Sequence, residues 1–118
     1  MSWMETPLLQ RMERFLDMAS FRQSLVSSNI ANVDTPGYRT RDIDFEKEMQ
    51  RASAAPDSTP EPNVREIRGL IERPDGNNVS IDRETMLLAR TQLQFQTGIA
   101  LLKSEFKRLS TAITEGKS

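Results

Sequence analysis

The sequence predicts a mainly α protein. A long N-terminal helix and a long C-terminal helix form an antiparallel, coiled-coil-like pair, and the irregular middle has room for a short strand or hairpin. Three observations lead there. Apolar residues recur at steps of three and four over residues 8–33, and again over 81–113. The stretch between them is polar and holds four of the six prolines, Pro56 to Pro74. A cluster of helix-stopping residues, Asn29 to Arg39, closes the first periodic run. The 118 residues are read as a single domain over 1–118. It divides into an N-terminal helix over 7–33, a hinge, extended arm and flexible loop over 34–81, and a C-terminal helix over 82–114.

The first helix begins at Thr6-Pro7, with Thr6 as N-cap and Pro7 at the first helical position, where its missing N–H costs nothing. Leu8, Met12, Phe15, Ala19, Val26 and Val33 form one seam, interrupted by Arg22 and Asn29. Leu9, Leu16, Met18, Leu25 and Ile30 widen it beyond what a single partner helix needs. The hinge then ends the helix. Asn32, Asp34 and Thr35 compete for backbone hydrogen bonds, Pro36 disfavours helical geometry at Thr35, and Gly37 suits the positive φ of a type II turn.

After the hinge, Arg39 to Phe45 reads as an extended arm anchored by Ile43 and Phe45, followed by a short helix near 46–52. Residues 53–63 are small, polar and proline-rich and read as a flexible loop. Residues 64–71 are a weak strand candidate, and Arg73-Pro74-Asp75-Gly76 is a turn. The last helix follows, with Asp82 as first candidate for its N-cap and Ser80 as second. Its seam alternates steps of four and three: Ile81, Thr85, Leu88, Gln92, Phe95, Ile99, Leu102, Phe106, Leu109, Ile113. A second apolar stripe, Met86, Leu93 and Ala100 with Leu87 and Leu101 beside it, lies off that seam. The expectation is that Phe95, Ile99, Leu102 and Phe106, flanked by Leu88 and Leu109, pair with Met12, Phe15, Ala19 and Val26. The second stripe is left for other molecules, because two helices cannot cover both.

Composition excludes most chemistry. Sixteen basic and seventeen acidic residues give a net charge of −1, so no basic face invites nucleic acid. No cysteine and no histidine means no disulfide, no zinc site of the common kinds and no histidine-activated nucleophile. No segment reads as a cleaved signal peptide or approaches the ~20 apolar residues of a membrane span. Asp42 and Asp44 flank Ile43 and read as solvated arm residues. Asp75-Gly76-Asn77 starts like a calcium loop but fails at Val79, Ser80 and Met86, and Asn78-Val79-Ser80 is a weak sequon match. The residues predict no catalytic group, no metal and no cofactor. On the residues alone, a free-standing helical adaptor or export chaperone acting through a coiled coil also fits.

One string is more specific. Ser28, Asn29, Ile30, Ala31, Asn32, then Thr35, Pro36, Gly37 and Tyr38 resemble the Asn-rich, Thr-Pro-Gly-Tyr signature of the bacterial flagellar axial proteins, the rod, hook and hook-associated subunits. Arg41-Asp42-Ile43-Asp44-Phe45, the Asp75 to Val79 turn with Asp82-Arg83-Glu84, and Gln92 to Gln96 are similar to the proximal rod subunits within that family. The resemblance covers roughly 15–48 and 74–114 and leaves 50–70 without a match. It departs at Phe95, where a tyrosine is common. It implies a non-enzymatic subunit of the basal-body rod, the drive shaft crossing the periplasm, which assembles through its terminal helices. The implied partners are further copies of itself, other rod proteins, inner-membrane ring and rod-base components, and the flagellar type III export apparatus. Synthesis in the cytoplasm and export without a cleaved signal peptide, with no membrane insertion, are implied as well.

Overall fold

A computed structural model of the chain describes residues 6–55 and 61–116. The element order is α1 (Pro7–Ala31), β1 (Arg41–Asp42), α2 (Phe45–Ala54), β2 (Arg65–Glu66) and α3 (Ile81–Gly116). Two long helices pack against each other, and a two-stranded antiparallel ladder sits in the middle of the chain, pairing Arg41 with Glu66 and Asp42 with Arg65. The molecule is elongated, 70 × 26 × 18 Å.

Each boundary has a local cause. Thr6 Oγ1 accepts the Leu9 N–H at 3.2 Å, and Pro7 follows it. At the other end of α1 the Asn32 N–H still reaches Ser28 and Asn29, and its side chain donates to Ser28 O at 2.8 Å. The chain then turns over Thr35-Pro36-Gly37-Tyr38, with Tyr38 N–H donating to Thr35 O and Gly37 at φ +76°. Asp44 caps α2 by accepting the Lys47 N–H, which starts the helix at Phe45 and carries it to Ala54, two residues past the expected end. The helix α3 starts at Ile81 because Ser80, not Asp82, is the cap: Ser80 Oγ accepts the Arg83 N–H at 3.2 Å. Asp82 lies inside the first turn instead, where its charge favours the helix dipole. Of the loop expected over 53–63, Ser53 and Ala54 belong instead to the end of α2, and residues 56–60 lie outside the described residues.

The core sits along α1. Ala19 and Val26 are buried on one side, and Met18 and Leu25 cluster with Ile43 of the arm on another. Phe21, Phe45 and Met49 pack around that cluster, and the Phe45 ring meets Phe15 edge-on at 5.5 Å. Thus α1 is covered by α2 on one flank and by α3 on the other, which accounts for its wide apolar face.

The side of α3 turned to α1 differs from the expected seam. Its buried residues are Glu84, Leu87, Thr91, Gly98 and Glu105, four of them spaced by seven. Leu88, Phe95, Leu102 and Leu109 flank this line half-buried, whereas Thr85, Gln92, Ile99 and Phe106 lie about 100° further round the helix and are exposed. The reason is steric. A Cβ on Gly98 would stand 2.8 Å from Leu16 Cδ2 and 3.3 Å from Phe15 Cδ1, so α1 approaches where α3 has no side chain. Hydrophobic periodicity reports where apolar residues are, and here the closest approach is centred on the smallest one. Asn29 opposite Glu84 and Leu16 opposite Gly98 set the antiparallel register, and by it about the last ten residues of α3 run past the start of α1.

Candidate functional site

The helix-stopping residues and the arm converge on a buried polar clasp. Asn29 interrupts the apolar seam of α1 in its last turn and is 1% exposed. Its amide Nδ2 donates to Arg41 O at 2.8 Å and to Glu84 Oε1, while Oδ1 accepts from Tyr38 Oη at 2.9 Å and from Arg41 N–H at 3.2 Å. The carboxamide therefore meets the backbone of Arg41 as a neighbouring strand would. One side chain joins α1, the hinge tyrosine, β1 and α3.

Asp42 is the second centre. It is 2% exposed, not a solvated arm residue. Arg22, the other polar interruption of the α1 seam, grips it with two bonds, Nε to Oδ1 at 3.1 Å and Nη2 to Oδ2 at 2.9 Å. Arg83 of α3 donates Nη2 to Oδ2 at 2.7 Å, and the Ile43 N–H donates to Oδ1 at 2.7 Å. Burial on its own raises the pKa of this carboxyl. The Arg22 guanidinium, the Ile43 N–H and Arg83 together outweigh it and hold the group below its ordinary value of 3.8. Arg83 also donates Nη1 to Glu84 Oε2 at 2.6 Å, so the chain Arg22–Asp42–Arg83–Glu84–Asn29 is continuous. Asp44, expected beside Asp42, points to the cap of α2 and takes no part.

The turn before α3 completes the clasp. Arg73 to Gly76 closes with Gly76 N–H on Arg73 O, and Arg73 N–H returns to Asn77 O, with Gly76 at φ +85°. Asn77 is fully buried: Nδ2 donates to both Asn32 O and Thr35 O at 2.9 Å, carbonyls of the turn after α1 that also accept the Thr35 and Tyr38 N–H groups. Gly37 N–H donates to Asp75 O at 2.8 Å, and the Cα of Gly37 would lie only 3.5 Å from a Cβ on Gly76. Arg73 reaches Val33 O and Val79 O. Asn78 accepts the Thr40 N–H at 2.7 Å and donates to Ile67 O, which leaves the sequon asparagine buried.

The asparagine amides of the cluster are answered by other parts of the chain and its carboxylates are matched by guanidinium groups, while the buried Thr40 hydroxyl has no partner among the described residues. Such a site holds segments together rather than transforming a substrate. Among the described residues no three His, Cys, Asp or Glu side chains converge as metal ligands would.

Comparison with known proteins fits this arrangement. The family model described as "Flagella basal body rod protein" matches residues 16–39, which carry Arg22, Asn29, Asn32, Thr35, Gly37 and Tyr38. The flagellar basal body rod protein FlgB of Yersinia enterocolitica is 31% identical, with 92% of this chain and 94% of that protein covered. The FlgB of Escherichia coli K12 is 33% identical over the same shares. The chain belongs to the FlgB family of flagellar basal body rod proteins. The FlgB of Bacillus subtilis, at 26% identity, covers 92% of this chain and 95% of that protein. Members of the FlgB family are structural subunits of the rod and not enzymes.

Sequence reasoning singled out Asn29, Asn32, Thr35, Gly37 and Tyr38, and the structure brings all five into the clasp. Ile30 is half-buried, and Ala31 and Pro36 are exposed at the turn. Of the helix-pairing residues, Ala19 and Val26 are buried, while Met12, Phe15, Leu88, Phe95, Leu102 and Leu109 are half-buried. Ile99 and Phe106 are exposed, as are Met86, Leu93, Ala100 and Leu101 of the second stripe. No place in the clasp was predicted for Arg22, Asp42, Arg73, Asn77, Asn78, Arg83 or Glu84, although Asp42, Asn77, Asn78, Arg83 and Glu84 lie in the strings that carry the resemblance to proximal rod subunits. A further signal was Arg22 and Asn29, polar residues seven apart on an otherwise apolar seam.

Proposed function

We propose that this rod subunit assembles through its terminal helices into the proximal part of the periplasm-spanning drive shaft. The observation that carries the reading is the uncovered apolar surface of α3. Leu93 is 64% exposed, Met86 and Leu101 a little over half, and Ile99 and Phe106 lie on the adjoining side. An apolar helix wall of this extent, with the end of α3 running past α1, suits burial against neighbouring helices. Further copies, other rod proteins and the inner-membrane ring at the rod base are the partners of this reading. The clasp supplies what such a subunit needs at the opposite end, a rigid junction between helices and arm. Delivery follows from the same reading: synthesis in the cytoplasm and export by the flagellar type III apparatus without signal-peptide cleavage. Among the described residues no helix is long and apolar enough to cross a membrane.

The test is mass spectrometry of washed, detergent-extracted hook–basal bodies. Several copies of this chain per particle is the expected result. Its absence from particles that contain the other rod proteins would overturn the proposal and favour a soluble adaptor.

A further inference from the structure

We infer that residues 1–5, which lie outside the described residues, cover the Leu109–Ile113 end of α3 in the free chain through Trp3 and Met4. The inference does not depend on the rod reading. With Leu16 opposite Gly98, the antiparallel register puts Thr6 opposite about residue 108, so α1 has not yet begun beside the last turns of α3. Of residues 106–116, only Leu109 and Ile113 are half-buried, and all the others are exposed. Uncovered leucines of the same helix stay more open, Leu93 at 64% exposed and Leu101 at 53%. The contrast calls for a cover at Leu109 and Ile113 that Leu93 and Leu101 lack.

The helix α1 is not that cover. Its track along α3 runs through Glu84, Thr91, Gly98 and Glu105, seven residues apart, and the next step would be Ala112. Ala112 is exposed. Leu109 and Ile113 lie about 60° and 100° round the helix from it, both to one side of the track. The chain ahead of α1 is placed to supply the cover instead. Thr6 is extended, at φ −98° and ψ 162°, so the backbone leaves the path of α1 there. Because the two helices are antiparallel, the residues before Thr6 set out beside the last turns of α3. From residue 108 to Ile113 is about 7.5 Å of helix rise, and extended chain advances about 3.3 Å per residue, so two or three residues bridge it. Those residues are Glu5, Met4 and Trp3, of which Met4 and Trp3 are apolar. An indole lies on aliphatic side chains while its N–H faces water, and a thioether fills the gap beside it. The end of α3 is thus closed from within the chain, and its open apolar surface is the Met86, Leu93 and Leu101 side. A neighbour that packs on the last turns of α3 must first displace this segment.

Trp3 is the only tryptophan of the chain, so its fluorescence reads the contact in the full, unlabelled protein. The expected result is emission to the blue of the urea-unfolded chain, acrylamide quenching well below that of the unfolded chain, and no change on dilution. Leu109→Ala with Ile113→Ala is expected to move both readings to the unfolded values and to keep the helical content, since alanine favours a helix. Leu93→Ala with Leu101→Ala removes apolar surface from the open side and is expected to leave both readings unchanged. Emission at the unfolded position in the parent chain would overturn the inference, and so would an unchanged signal in the first pair. Equal shifts in both pairs would refute it too. A signal lost on dilution would assign the cover to a second copy and equally overturn it. If the first pair loses helical content, Ile113→Ala alone decides by the same two readings. Loss of helix there as well would make these residues supports of α3 itself and refute the inference.

Discussion

Replacing Asp42 by asparagine tests the centre of the clasp with almost no change of shape. The substitution keeps an oxygen for the Ile43 N–H but removes the charge that two guanidinium groups share. Breaking a fully buried ion pair by neutralising one partner costs about 3–5 kcal/mol. Here the carboxylate side chain is 3% exposed but Arg22 and Arg83 keep 14% and 21%, so water takes up part of the loss on the arginine side. A destabilisation of about 2–4 kcal/mol at neutral pH follows. The pH dependence gives an independent check. The native carboxyl has a lowered pKa, so its contribution is fully present above the ordinary value of 3.8 and is lost as the pH falls from there through the lower native value. The asparagine variant lacks this titration. The gap between the two proteins is therefore constant from neutral pH down to about pH 5 and closes below about pH 4. Urea unfolding followed by far-UV circular dichroism at several pH values measures both quantities. A gap below about 0.5 kcal/mol at neutral pH, or one that persists undiminished in acid, would refute the assignment of Asp42 as a buried, ionised hub.

Three further predictions concern other levels of the structure. Gly37→Ala meets no atom within 4 Å, so its cost is backbone strain alone, about 1–2 kcal/mol by the same unfolding assay. Gly98→Leu places a side chain where Leu16 and Phe15 already stand and should destabilise by about 1–3 kcal/mol, with loss of the α1–α3 contact visible as faster amide exchange in both helices. Leu93→Asp and Leu101→Asp, on the uncovered side of α3, should leave the unfolding midpoint of the isolated chain within about 0.5 kcal/mol of the parent. The same two variants should abolish recovery in hook–basal bodies, and normal recovery would show that this side of α3 meets no neighbour.

Local physics made much of the fold legible. Thr6-Pro7 starts a helix wherever it stands, and Pro36-Gly37 turns the chain through constraints carried by those residues alone. The three-and-four spacing of apolar residues marks α1 and α3 for the same reason, because it depends on helix geometry and not on partners. Even the choice between Asp82 and Ser80 as cap was narrowed to two residues, and the backbone path of the preceding turn decided for Ser80. Asn29 and Tyr38 stood out as a motif, but nothing local says what a carboxamide will bond to.

Tertiary structure decided the rest, and the reason is the same in each case: the partner is distant in sequence. Asp42 looks like a solvated acid until Arg22 and Arg83, from two different helices, close on it. Glu84 becomes a fully buried carboxylate only because Asn29, fifty-five positions earlier, faces it. The side of α3 that meets α1 was open for a further reason. A helix with apolar residues on several sides can be packed in more than one orientation at similar hydrophobic gain, and closeness of approach selects among them. Gly98 permits the closest approach, so α1 settles over a line of small and polar residues, and the apolar row at Ile99 and Phe106 is left facing outward. The sequence by itself determined where the helices, hinge and turns lie, since their causes sit within a few residues of one another. Which faces meet, and which acids become the buried hubs of the junction, required the folded chain to bring residues twenty to fifty-five positions apart into contact.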